Sequence, residues 1–275
     1  MNSASIKKAA EILAAARIDG GEIQALDHEL RPSNEADAYK IQDCLHKILE
    51  DRGHGSAIGY KIGCTTAVMQ KFLQINNPCA GSIIQKGLHN NQGIFSHPSF
   101  RRVGVECEIA VRLKRPLGSD CPIPELEEMS SCVASMLPAI EVVDDRYQNY
   151  ELLGAPTLIA DDFFHSACVV GKGTTSWKHS ELGLLNGVMT INGTVVGSGL
   201  GSDIMGHPLG ALQWMARLFQ ARGKVIEPGQ VVLLGSVVET KWVEPGDAVQ
   251  VEIDQLGKAK AIFCTHQKFI DNGCA

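Results

Sequence analysis

Residues 101–111 read RRVGVECEIAV, and no other stretch constrains the chain as much. Val105, Cys107, Ile109 and Val111 recur every second residue, the period of a half-buried strand. That period puts Glu106 and Glu108 on one strand face, about 7 Å apart at a rise of about 3.3 Å per residue. Two like charges so close repel unless water or a cation neutralises them. The stretch is therefore either a wet strand face or part of a metal site.

The chain carries its own control. VQVEIDQL at 249–256 also places Glu252 and Asp254 on one strand face, and a solvated face is the default reading of either pair. Their company separates them. In LPAIEVVDDRY, Glu141 interrupts an apolar run, and a lone buried carboxylate needs a partner. That partner is either a base, Arg146 or another, or a cation shared with Glu106 and Glu108. Three carboxylates from two strands suit a hard cation such as Mg²⁺, which takes oxygen ligands. Glu252 and Asp254 precede a Gly-Lys turn and have no third acid nearby.

Lys61, in IGYKIGCTT, stands in an apolar strand between Gly59 and Gly63. It either snorkels to water or faces a carboxylate or ligand, and the glycines permit close approach of a ligand or a second backbone. GSGLGSDIMGHP at 197–208 does not fit a dinucleotide fingerprint and reads as a turn leading into a helix. His207 stands where a cap would, with anion binding at that helix start as its functional alternative. Ser236, at the end of VVLLGSVV, is either part of a plain turn or a ligand contact. No GxSxG elbow is present, and no cysteine has a nucleophile signature around it.

Helices are expected at about 4–18, 34–52, 124–137 and 208–221, and a strand at 56–64. The organisation expected is an N-terminal helical segment, 1–80, followed by a β-rich domain, 81–275. Strands and helices are not regularly interleaved, which argues against a doubly wound sheet. Net charge is −6 and aromatics are 5%, with no basic cluster, so nucleic acid is not an expected partner. No run is long and apolar enough to span a membrane and no signal core is seen, so a cytoplasmic location is expected. Nine cysteines without CxxC spacing read as reduced thiols, with Cys274 an exposed one, rather than as a zinc ribbon or disulfide framework.

GYKIGCTT, VGVECEIAVRL, LPAIEVVDDRY, GHPLGALQWMARLF and EPGDAVQVEIDQLGKAKAIF occur in that order. Together they resemble the 2-keto-4-pentenoate hydratase and 4-oxalocrotonate decarboxylase branch of the fumarylacetoacetate hydrolase-like superfamily, over nearly the whole chain. The resemblance implies an α+β fold, a mixed β-roll with an N-terminal helical cap. It implies Mg²⁺ or Mn²⁺ held by Glu106, Glu108 and Glu141, Lys61 as the active-site lysine, and a homo-oligomer. The substrate implied is a small 2-hydroxy-2,4-dienoate or 2-oxo acid chelating the metal, with Lys61 holding its carboxylate or moving a proton at a lowered pKa. Ser236 and His207 are the further substrate contacts expected. A hydratase of aromatic catabolism is the first reading, a decarboxylase the second, and a carbon–carbon hydrolase or a non-catalytic binding relative the third. One departure stands out: NNPCAGSI puts Cys79 where such hydratases usually carry an acid and Ala80 where they carry an aromatic.

Overall fold

The computed structural model describes residues 1–23 and 25–265, the side chains of Phe72 and His179 apart. Cys274 lies outside the described residues. The chain opens with two helices, α1 (Ser3–Asp19) and α2 (Glu35–Asp51). Asn2 and Asn34 cap them by accepting from the amides of Ser5 and Asp37 at 2.8 and 2.9 Å. Gly20 ends α1 in the left-handed conformation, φ 70°. Then come β1 (Ala57–Gly63), α3 (Ala67–Phe72), β2 (Cys79–Ile84), β3 (Leu88–Asn90), β4 (Gln92–Ser96) and β5 (Val103–Leu113). Next are β6 (Leu117–Gly118), β7 (Val133–Asp144), α4 (Ala155–Ala160), β8 (His165–Val170), β9 (Asn186–Ile191) and β10 (Thr194–Leu200). The chain continues through α5 (Pro208–Ala221), β11 (Val225–Ile226), β12 (Val231–Trp242), β13 (Ala248–Ile253) and β14 (Gly257–Cys264).

Two sheets carry the fold. The larger runs β2-β1-β12-β5-β7-β8-β3, the smaller β10-β9-β13-β14-β4. The smaller sheet packs on the larger through β14 against β7 and β10 against β12. Parallel pairs (β1 with β12, β3 with β8, β4 with β14) sit among antiparallel ones, so the sheets are mixed, as the β-roll expectation requires. Both faces of the larger sheet are buried. Val105, Cys107, Ile109 and Val111 of β5 join the main core, and Ala110 joins a smaller cluster with Leu137, Ala139, Cys168 and Leu233 on the other face. Glu106 and Glu108 share that second face by the two-residue period.

Two expectations need correcting. The stretch 124–137 is not a helix: residues Leu126–Cys132 form a 3₁₀ segment, and β7 begins at Val133. The apolar spacing there was shared between two elements, and pairing of Val133 with Leu113 on β5 decides for strand. A division after residue 80 also cuts β2. The first eighty residues supply β1, which pairs with β2 on one side and β12 on the other. The expected helices at α1, α2 and α5 and the strand at β1 agree with the fold to within one or two residues.

Candidate metal centre

Strand register answers the question that 101–111 poses. β5 and β7 pair antiparallel with Glu106 directly opposite Glu141 and Glu108 opposite Ala139. Cross-strand partners share a face. Carboxylate oxygens of Glu106, Glu108 and Glu141 accordingly lie within 4.8 Å of one another. Glu108 and Glu141 are each 1% exposed; Glu106 is partly exposed.

Each acid is aimed by a neighbour. Glu108 accepts the amide of Gly235 at 2.7 Å. This amide is available because β12 shifts register between Leu233 and Ser236. Glu106 accepts the hydroxyl of Thr240. Glu141 Oε1 accepts His165 Nδ1 at 2.9 Å and Lys61 Nζ at 3.1 Å, while its Oε2 is buried with no hydrogen-bond partner. Burial, then Glu141, raises Glu106 to about 6. Burial, then Glu141 and Glu106, lifts Glu108 well above the carboxylate range. Burial works against the charge of Glu141 as well, but Lys61 and then His165 outweigh it and hold its pKa below the usual value. An all-oxygen set of this kind, self-repelling and with an orphaned buried oxygen, fits a hard divalent cation. Arg146 bonds Asp161 at 2.9 Å instead, so the bases that pair with Glu141 are Lys61 and His165.

Lys61 does not snorkel. It is 3% exposed, and its Nζ also donates to the carbonyl of Phe163 at 3.2 Å. Burial works against its charge, but Glu141 first, then Glu106 and Glu108, raise its pKa. This is the reverse of the lowered pKa expected for proton transfer. Gly63 leaves it room: a Cβ there would lie 3.3 Å from Nζ. Gly59 lets β12 approach, since a Cβ would meet the Val231 carbonyl at 2.5 Å.

Above the acids opens a cleft of about 920 Å³, floored by Lys61, Glu106 and Glu108 and walled by Phe163, Phe164 and Trp242. Among the described residues that line it, Lys61 is the one basic side chain, whereas Asp145, Asp203 and Glu239 add negative charge. Arg102 stands behind two lining residues, stacked 3.8 Å over Trp242 and 3.6 Å from Asp145. Ser236 lines the cleft, but its hydroxyl is engaged with the Cys107 and Val238 carbonyls. His207 does not line it. Its Nδ1 caps α5 by accepting the Leu209 amide at 3.1 Å, the default role read from the sequence. Cys79 is fully buried and absent from the cleft lining, with its thiol pushed up by a hydrogen bond with Cys64 and then by burial, so it supplies no acid.

Sequence reading missed His165, Thr240, Asp145 and the two phenylalanines. For His165 a signal existed: in FFHSACVV it is the lone histidine or acidic or basic residue entering an apolar strand. Cys44, Cys64, Cys79, Cys107, Cys121, Cys132 and Cys168 are free thiols, whereas Cys264 is disulfide-bonded, which corrects the expectation of reduced cysteines throughout. Among the described residues, no helix is long and apolar enough to cross a membrane.

Residues 84–263 match the family model described as fumarylacetoacetate (FAA) hydrolase C-terminal. A 4-oxalocrotonate decarboxylase of Pseudomonas putida is 28% identical over 264 residues, covering 96% of this chain and 98% of its own. A 2-keto-4-pentenoate hydratase of Paraburkholderia xenovorans is 28% identical over 261 residues, 95% and 96% of the two chains. The solved structure of a decarboxylase from Pseudomonas putida G7, complexed with magnesium and adipate, superposes with a TM-score of 0.88 at 26% identity, covering 96% of this chain and 98% of that one.

Proposed function

The chain belongs to the fumarylacetoacetate hydrolase family, and on that premise we propose that it is a divalent-metal-dependent lyase adding water to a 2-hydroxy-2,4-dienoate to give a 4-hydroxy-2-oxo acid. The observation that carries this is the trio Glu106, Glu108 and Glu141, with Lys61 against Glu141 and with Lys61, Glu106 and Glu108 flooring one cleft. The trio would hold Mg²⁺ or Mn²⁺, which when bound supplies Lewis acidity to a chelating 2-oxo acid. Lys61 supplies the positive charge that meets the substrate carboxylate, and its bond to Glu141 keeps that acid aimed. His165 holds the same oxygen from the opposite strand. Asp145 is the buried carboxyl among the cleft acids outside the trio, and burial raises its pKa. Both properties suit it to carry the proton that Cys79 cannot.

The cleft favours a monocarboxylate with an apolar tail. The second carboxylate of a dicarboxylate would find no cation beyond Lys61 among the described lining residues and would meet Asp145, Asp203 and Glu239. A decarboxylase is the second reading, favoured by the likeness to a decarboxylase structure complexed with a dicarboxylate. The family resemblance further supports a homo-oligomer working in the cytoplasm, which gel filtration and fractionation test. The reaction is tested with 2-hydroxypenta-2,4-dienoate and 4-oxalocrotonate in Mg²⁺. Loss of ultraviolet absorbance without CO₂ on the first is the result expected. CO₂ release from the second, with the first untouched, replaces the hydratase by the decarboxylase. Full activity after EDTA treatment overturns both.

A further inference from the structure

Behind Lys61 the backbone takes a costly path. Asp162, Phe163 and Phe164 all have positive φ, 52°, 54° and 66°, and none is glycine. Each such residue costs about 1–2 kcal/mol, and bulky side chains are rare there. A run of three persists only where its surroundings over-determine it. Here they do. Asp162 accepts from His46 Nε2 at 2.8 Å, from the Ser82 amide at 3.0 Å and pairs with Arg17 Nη2 at 3.1 Å. Asp161 accepts Arg17 Nε at 2.6 Å, Arg146 Nη2 at 2.9 Å and the Tyr147 hydroxyl at 3.2 Å, and its carbonyl accepts Arg17 Nη2 at 2.6 Å. Both aspartates are fully buried. Gly81 of β2 lets the turn close down, since a Cβ there would meet the Asp162 carbonyl at 3.0 Å.

Arg17 is the group in this network that grips three acceptors of the turn at once, and it comes from α1, far away in sequence. What the turn presents is the Phe163 carbonyl, which with Glu141 holds Lys61 Nζ, and the Phe163 ring 5.6 Å from the same nitrogen. The rings of Phe163 and Phe164 wall the cleft. We infer that Arg17 is a positioning residue for Lys61: its planar fork fixes the left-handed Asp162-Phe163-Phe164 turn and so fixes the carbonyl that orients the ammonium. The consequence for turnover rests on the functional reading above; the consequence for the turn does not. Lysine cannot replace it, because a single ammonium lacks the fork needed for three acceptors.

The test uses the full chain in Mg²⁺. Arg17→Met should lower kcat/KM on the dienoate at least tenfold while the far-ultraviolet dichroism stays that of wild type, with Arg17→Lys between the two. The decisive arm is a double-mutant cycle with Phe164→Gly. Glycine adopts positive φ without steric cost, so the anchor has less to hold, and Arg17→Met should cost at least threefold less in that background. Activity of Arg17→Met within twofold of wild type, or equal costs in both backgrounds, overturns the inference. Should Arg17→Met fail to fold, Arg17→Lys carries the same cycle. A wild-type protein inactive on the dienoate condemns the functional reading instead. The turn is then read by hydrogen exchange, where the amides of residues 162–165 should exchange at least tenfold faster in Arg17→Met with β5 unchanged. Unchanged exchange at 162–165 overturns the inference.

Discussion

Two strands of this protein carry the same acidic pattern and end in opposite chemistry. In β5, Glu106 and Glu108 lie in mid-sheet, between β7 and β12, with Glu141 directly across. In β13, Glu252 faces Lys258 of β14, 2.9 Å away, with half of each side chain in water. Asp254 falls past the end of the strand, against the amide of Asn186. Alternation alone sets which side chains share a face. The partner strand and the depth of burial decide whether that face repels, pairs or binds. An exposed pair has water and a neighbouring lysine; the buried trio has one lysine for three carboxylates.

The sharpest way to break this comparison is to delete one acid from each strand. Glu141→Ala should lower Mg²⁺-dependent turnover by about 10²–10³-fold, the loss of several kcal/mol of cation-based stabilisation. The same change at Glu252 should leave turnover within twofold, as measured by initial rates across Mg²⁺ concentrations. Equal effects at both positions would erase the distinction. Next in size, His165→Leu removes the bond that aims Glu141. It should weaken Mg²⁺ affinity by about 10–100-fold, read by titration calorimetry, with little change in rate at saturating metal. The electrostatics give a third handle. In EDTA, Glu106 titrates near 6, raised from 4.5. A carboxyl raised by folding favours the native state only while protonated, so the metal-free protein should lose stability as pH rises from about 4.5 to 6. Glu106 accounts for about 2 kcal/mol of that loss at most, at 1.36 kcal/mol per pK unit. Glu106→Gln should flatten that slope in melting curves; an unaltered slope would show that the trio does not carry the repulsion. Smallest is the surface pair. Lys258→Ala should shift stability by less than about 1 kcal/mol, measured by urea denaturation.

Much of this was legible in the residues, for local reasons. Asn2, Asn34, Pro208 and Gly20 announce helix ends through hydrogen bonds and φ preferences that span a few residues. The acids on β5 were legible through alternation, and Glu141 through its apolar flanks. What was not legible is long-range. Nothing within residues 133–144 states that Glu141 lies opposite Glu106, and nothing near Ser82 announces that its amide binds Asp162. The misread segment at 124–137 fails for the same reason, since its strand half is decided by β5. The turn at 162–164 violates local preference outright, and the buried ion pairs and hydrogen bonds of Asp161 and Asp162 account for it.

The parallel pairing of β1 with β12 has one last implication. Lys61 lies beside Leu233, about 170 residues further along the chain. On a ribosome, the strand bearing this lysine must therefore wait for nearly the whole protein to emerge before its neighbour exists. Closing so long a loop is entropically slow. During that wait its apolar edge is open to wrong partners. Assembly of the reactive pocket should thus be among the last events of biosynthesis, and a truncated product ending before residue 231 would hold the lysine without the strand that seats it.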